Sequence, residues 1–161
     1  MSAFTSEDFR AALGQFATGV TIVTTMDDEG RKVGLTANSF NSVSLSPPLV
    51  LWSLSKTSGS LAAMSASKTY AINVLAADQR VLAERFARKG IDRFEGVSWR
   101  PGFSGAPLID AAVASFECTN RSQHEAGDHV IFVGEVTHCA RRVGAVPRVF
   151  HGGRFFTGLA L

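Results

Sequence analysis

The 161-residue chain has little of what small proteins use as staples. Cys118 and Cys139 are its only cysteines, spaced for neither a CxxC motif nor a zinc site. They read as two reduced, packed thiols in a cytosolic chain. A chain of this length buries roughly 70% of its unfolded surface and folds without a disulfide or metal. Charge is also scarce, at 19% of residues with a formal net charge of +2. That is below the ~25% usual for soluble domains, so part of the surface is expected to be covered, as a homodimer would cover it. So weak and scattered a positive balance argues against a nucleic-acid partner. No apolar run approaches the ~20 residues that span a bilayer. The longest, residues 47–54, contains Ser53 and reads as a buried strand. The opening MSAFTSEDFR carries acids where a signal peptide would carry bases and then a long apolar run, so a cytoplasmic location is expected. No GxGxxG follows a strand, which excludes a Rossmann site; a nucleotide must be held some other way. His124, Glu125, Asp128 and His129 lack an HExxH or paired-cysteine spacing, and no metal site is expected.

What is present is a succession of short strands with few helices. Thr5 or Ser6 can cap a first helix with Glu7 and Asp8 in its first turn. Phe9, Leu13 and Phe16 recur at helical spacing and are expected to pack inward, with Gly19 as the stop. VTIVTTM (20–26) is β-branched and reads as a strand. Residues 32–46 read as a strand or strand pair with a polar interruption, and Pro47 and Pro48 delay the next strand, LVLWSLS. A short helix over 58–68, a strand YAINVLA and a helix QRVLAERFARK follow, the last capped by Asp78 with Val81, Leu82 and Phe86 inward. Residues 90–110 form a long apolar loop, too sticky for a linker. Two long strands then turn at Ala126, Gly127 and Asp128, and a Gly-Gly turn joins two short runs in PRVFHGGRFFTGL. With no repeat and no linker, residues 1–161 read as one domain, an antiparallel barrel rather than a βαβ sheet.

Three segments carry the chemistry. GLTANSFNSVS (34–44) is dense in small and hydroxyl residues between apolar strands. Small residues let a planar ligand approach the backbone, and hydroxyls add adaptable donors for phosphate or ribityl oxygens. Composition alone leaves open an irregular polar edge strand. SLSKTSGS (53–60) follows a buried strand and opens a helix, which makes an anion site or simply a Ser-capped helix. Gly127-Asp128-His129 opens the strand HVIFVGEV, where Asp128 can orient the histidine toward a carboxamide or a developing charge. The alternative is a hairpin turn with an incidental histidine. Arg88, Lys89 and Arg93 form a basic group that can meet a phosphate or face solvent. His138 reads as structural, and His151 stays open.

Together these pieces resemble the short-chain flavin reductase family, the reductase components of two-component monooxygenases. The resemblance runs through FRAALGQFATGVTIVTT, GLTANSFNSVSLSPPLVLWSLSKTSGS, YAINVLAADQ, RFARKGIDRFEGVSW, APLIDAAVASFEC, GDHVIFVGEV and VFHGGRFF, in order across nearly the whole chain. It implies a mainly β, antiparallel split β-barrel that binds FMN or FAD, works as a homodimer and takes NADH or NADPH as co-substrate. It further implies that Thr36, Ala37, Asn38 and Ser39 line the flavin ring and ribityl chain. Ser53, Lys56, Ser58 and Ser60 fall where the family holds the flavin chain or phosphate, and Lys89 and Arg93 lie in a region that reaches the phosphate. His129 falls where relatives contact the nicotinamide, and Phe155 with Phe156 near the closing aromatic. At Asn38 some relatives carry a small Ser or Ala. The expected activity is reduction of flavin by hydride transfer, with diffusible reduced flavin passing to a flavin-dependent monooxygenase. A pyridoxamine-phosphate-oxidase-like oxidase and a non-catalytic flavin or haem binder are the alternatives on the same barrel.

Overall fold

Thr5 opens the chain's first helix with a reciprocal cap. Its hydroxyl accepts from the Asp8 N–H at 3.1 Å, and the Asp8 carboxylate accepts from the Thr5 N–H at 2.9 Å. The computed structural model describes residues 3–157, and this helix, α1, spans Ser6–Gly14. It stops at Gln15 rather than at Gly19, which instead lies in the short strand β1 (Thr18–Gly19). The expected inward packing is not found: Phe9, Leu13 and Phe16 are 52%, 57% and 78% exposed, and α1 buries no residue.

Seven antiparallel strands form the main sheet. In chain order they are β2 (Thr21–Met26), β3 (Lys32–Ala37), β4 (Asn41–Leu45), β5 (Pro48–Ser55), β6 (Thr69–Val74), β9 (Ala114–Ala126) and β10 (His129–Arg141). Between them lie α2 (Leu61–Ala66), α3 (Arg80–Ala87) and a small hairpin of β7 (Trp99–Pro101) and β8 (Pro107–Ile109). The spatial order is β3-β2-β6-β9-β10-β5-β4. A second sheet joins β1 to β11 (Arg148–His151) and β12 (Arg154–Thr157).

The main sheet rolls on itself. β3 and β5 stand far apart in the strand order, yet Leu35 of β3 and Trp52 of β5 share one core with Tyr70 and Phe132. Trp52 and Phe132, whose positions pair across β5 and β10, stack with ring centroids 4.5 Å apart. β5 is not buried on both faces as its apolar run implied. Val50, Trp52 and Leu54 point into the barrel while Leu49, Leu51 and Ser53 are half-buried on the other side. It also begins at Pro48, directly after the β4 turn, because Pro48 sits at the sheet's edge strand pair.

A second core lies outside the barrel, where Val20, Ile22 and Leu75 meet Phe86 of α3, Phe94 and Ile109. The apolar stretch 90–110 is thus partly a hairpin that covers β2 and β6, pinned by the buried Asn73, whose carboxamide oxygen accepts from the Ile109 N–H at 2.9 Å. The N-cap of α3 is Gln79, not Asp78, and Val81 faces solvent while Ala83 and Phe86 are buried. The long hairpin β9–β10 turns at Gly127, whose φ of 61° suits a residue without Cβ. Cys118 is packed in the core, but Cys139 is exposed, against the expectation of two packed thiols. No helix among the described residues is long and apolar enough to cross a membrane.

Candidate active site

Three strand ends and one loop converge on the rim of the barrel. β3 delivers Thr36 and Ala37, and the residues after it, Asn38 and Ser39, run along the rim. β5 ends in Ser53, Leu54 and Ser55, and His129 opens β10 opposite Ser55. The loop after α3 supplies Lys89 and Arg93. Together they enclose an open cleft of about 360 Å³, within the range typical of small-ligand sites.

Of the residues singled out from sequence, Thr36, Ala37, Asn38, Ser39, Ser53, Ser58, Lys89, Arg93 and His129 line this cleft. Ser60 lines a neighbouring cavity that shares Lys89 and Arg93 with it. Phe155 lines another, of about 500 Å³, that shares Thr36, Asn38 and Ala87 with the first and is otherwise walled by Val20, Ala83, Phe150 and the charged Glu84 and Arg88. Lys56 lines none of the three: its ammonium donates to the Glu125 carboxylate at 2.9 Å, on the side of the β9–β10 hairpin. The helix-terminus anion site does not form as read. α2 has only six residues, and its Ser60 side chain caps no backbone N–H but accepts from Arg93 Nη1 at 3.5 Å, so its dipole is short and anion binding must rest on side chains.

Much of the polar lining is already committed to the fold. The Thr36 hydroxyl donates to the Ala83 carbonyl at 2.6 Å, tying β3 to α3. The Ser39 hydroxyl accepts from the Ser53 N–H at 2.9 Å and lies 3.2 Å from the Ser53 carbonyl, to which it donates. It takes the place of a strand residue and stitches the open seam between β3 and β5. Arg93 donates through Nη1 to the Gly34 carbonyl and through Nε to the Arg88 carbonyl, both at 2.7 Å. That reach depends on Gly34. A Cβ there would stand 2.7 Å from Cε1 of Phe86, so the glycine lets α3 and its following loop press against β3. Partial burial pushes the Arg93 guanidinium below its ordinary value, and an arginine still keeps its charge at any working pH.

Other groups are uncommitted. The Asn38 carboxamide and the Lys89 ammonium are exposed and have no partner among the described residues. His129 is half-buried, and its Nδ1 lies 2.8 Å from the Asp128 carboxylate. The carboxylate accepts there, so Nδ1 carries the proton and Nε2 is left free to face a ligand. The hydrogen bond from His129, and then its charge, hold the Asp128 carboxyl below the usual carboxylate value, so Asp128 stays ionised throughout the neutral range.

Sequence reasoning missed Ser55, Thr57, Leu54, Phe86 and Ala87 in the cleft and Phe150 beside it. Ser55 was findable, since the β5–β10 pairing sets it beside His129. Phe86 and Phe150 carry no local signal, because only packing brings them to the rim. Among the described residues no cluster of three or more His, Cys, Asp or Glu is arranged to hold a metal.

Comparison with known proteins adds to this geometry. The family described as "Flavin reductase like domain" matches residues 13–159. The FMN reductase (NADH) SmoA of Agrobacterium fabrum is 50% identical over 93% of this chain and 84% of its own. The HsaB reductase subunit of a flavin-dependent monooxygenase from Rhodococcus jostii is 40% identical over 94% of this chain and 76% of its own. The solved NADH:FAD oxidoreductase SgcE6 of Streptomyces globisporus, in complex with NAD and FAD fragments, superposes with a TM-score of 0.90 at 42% identity, covering 97% of this chain and 96% of that one. Some homologues are longer, and the chain spans 43% and 54% of two of them.

Proposed function

Since the chain belongs to the flavin reductase-like domain family, we propose that it is an NADH-dependent flavin reductase that reduces FMN or FAD and passes the reduced flavin to a separate flavin-dependent monooxygenase component. The observation that carries this is the pairing of two cavities across Thr36 and Asn38. One is lined by hydroxyls and the uncommitted Asn38, Lys89 and His129, and the other is walled mainly by Phe150, Phe155, Val20 and Ala83, with Glu84 and Arg88 also lining it. A flavin has the same two halves, an apolar-edged ring and a polyhydroxyl chain ending in phosphate.

A flavin held there would supply the redox chemistry, hydride acceptance from a dihydronicotinamide. The chain's own residues position and exclude. Small residues at Ala37 and Ser39 allow a ring to approach the backbone, and the Asn38 carboxamide is free to meet its polar edge. Phe155 and Phe150 cover the apolar side and exclude water. Ser53 and Ser58 flank the chain region, while Lys89 and the remaining nitrogen of Arg93 meet the phosphate as cations. His129, fixed by Asp128, holds the nicotinamide carboxamide through Nε2. It orients rather than transfers a proton, so the protein's contribution is alignment of the reacting atoms at ~3–3.5 Å.

An open cleft with exposed Lys89 and Asn38 suits a ligand that must leave once reduced. The chain works as a homodimer in the cytoplasm. The uncovered apolar side of α1 supports the dimer, since an exposed patch of this kind marks an association surface. Steady-state NADH oxidation with FMN, FAD and each nicotinamide tests the reading: turnover must require added flavin, and flavin binding without NADH consumption would instead indicate a non-catalytic flavin carrier.

A further inference from the structure

At the far end of the β9–β10 hairpin lies a cavity that shares no residue with the flavin cleft. β10 starts at His129 in that cleft and ends at Arg141, a strand of 13 residues that spans roughly 40 Å. There Arg141, Arg142, Arg100 of β7 and the turn 110–113 enclose about 220 Å³. We propose that this cavity binds a small dianion of the phosphate class, as free phosphate or as the terminal group of a small phosphate monoester, held by Arg100 and Arg141 against the N–H of Ala112.

The charge balance of the cavity is uneven. Three arginines line it against one carboxylate, that of Asp110, which already accepts from the Ser98 hydroxyl at 2.8 Å. The guanidinium groups of Arg100 and Arg141 are exposed and make no hydrogen bond or ion pair with the described residues. Arg142 donates through Nη2 to the Ala111 carbonyl at 2.8 Å, and its other donors remain. Like charges around one small cavity repel, and an anion between them turns that repulsion into attraction. Forked guanidinium groups favour an oxyanion over a halide, because each can donate two parallel hydrogen bonds. The cavity lies below the ~300–1,000 Å³ of sites for drug-sized ligands, so it suits a compact ion and not a nucleotide.

The turn supplies a backbone donor. Ala111 has a φ of 61°, the left-handed region that a Cβ disfavours, and its carbonyl there meets Arg142. The next residue, Ala112, is half-buried, and its N–H has no acceptor among the described residues. An unpaired N–H beside a left-handed residue is the arrangement with which a turn cups an anion. Neighbouring elements fix the turn in place. The Asp110 N–H donates to the Ser98 carbonyl at 3.1 Å, the Val113 N–H to the Val74 carbonyl at 2.8 Å, and the Gln79 carboxamide to the Asp110 carbonyl at 2.8 Å. The donor therefore loses little freedom when an ion arrives.

Isothermal titration calorimetry of the purified protein with inorganic phosphate, glycerol phosphate and chloride, at matched ionic strength, tests the site. Saturable binding of a phosphate and none of chloride is expected, and the tighter of the two phosphates identifies the source. Arg100→Gln and Arg141→Gln each weaken that binding by about fivefold, the effect of one solvent-accessible charge pair. Lys89→Ala, which removes a cation of the distant flavin cleft, leaves it within about twofold. Phosphate should also raise the denaturation midpoint of the parent protein more than that of the Arg100→Gln/Arg141→Gln double variant, a difference from which the general salt effect cancels. Phosphate binding that is lost in Lys89→Ala but kept in the double variant puts the ion in the flavin cleft and overturns the site. No phosphate binding, or equal binding of chloride, overturns it as well and leaves the flavin reductase reading untouched.

Discussion

The inner wall of the cleft and its mouth use the same kinds of side chain for opposite ends. On the wall, Thr36, Ser39 and Arg93 are hydroxyl and cationic groups that a ligand could use, but each is spent on the fold: on α3, on the seam between β3 and β5, and on the loop after α3. At the mouth, Asn38, Lys89 and the Nε2 of His129 are unspent. The wall's cost was met during folding, so the donors at the mouth are held in place by a frame that does not move when a ligand arrives. That is preorganisation in the sense that lowers the cost of binding.

Substitutions at the wall should therefore cost stability first, and those at the mouth should cost ligand binding alone. The largest effect is expected for Gly34→Ala, whose new methyl meets Phe86 and Phe94 and displaces α3 from β3. It should lower unfolding free energy by about 1–3 kcal/mol in chemical denaturation and weaken flavin binding at the same time. Ser39→Ala opens the seam and leaves the Ser53 N–H without its acceptor. A loss of about 1–2 kcal/mol is expected by the same measurement. An unchanged denaturation midpoint for Ser39→Ala would move Ser39 from the wall to the mouth.

At the mouth, His129→Ala should leave stability unchanged and raise the KM for NADH by about tenfold, the loss of one oriented hydrogen bond, with flavin affinity within about twofold. Equal losses for flavin and NADH would remove His129 from its nicotinamide role. Lys89→Ala should weaken flavin binding by up to about fivefold, and less at high salt, because its charge is exposed. The smallest effect separates the two cysteines. Burial first, then the Glu117 carboxylate, push the Cys118 thiol up to about 12, so it stays a neutral thiol at any ordinary pH. A thiol reagent at pH 8 should label one cysteine, Cys139, in the native protein and both after unfolding.

The barrel was legible because its signals are local. Alternation in HVIFVGEV puts Val130 and Phe132 on one face, which the barrel buries, Gly127 marked the turn, and the 90–110 stretch was too apolar for a linker. The misread elements are those whose partners lie far away in sequence or are not found among the described residues. The spacing of Phe9, Leu13 and Phe16 describes an apolar helix face correctly but cannot say what covers it, and nothing among the described residues does. Val81 failed for a related reason: α3 is narrow on its buried side, and the stripe falls on Ala83 and Phe86. In the candidate site, residue types pointed to segments that the fold brings together, and nine of the twelve residues singled out share one cleft. Which hydroxyls are free could not be read from type or spacing, because Ser39 and Thr36 are engaged by groups 14 and 47 residues away. Lys56 was drawn off by Glu125, a partner 69 positions along the chain.

Uncovered α1 sharpens the contrast between wall and mouth in one more respect, since its apolar face is unspent and its Phe9, Leu13 and Phe16 line none of the cavities described above. Leu13→Glu should shift the chain from dimer to monomer in light scattering without altering its fold by circular dichroism, whereas a monomeric parent protein would refute the assigned role of that face.

The most direct measurement mixes the protein and one equivalent of flavin with NADH under strictly anaerobic conditions and follows both chromophores. The flavin and nicotinamide absorbances should fall together, one for one, and far faster than in the same mixture without protein. Loss of neither band, or a flavin spectrum changed by binding while the nicotinamide band stands still, would contradict the assignment of this cleft to flavin reduction.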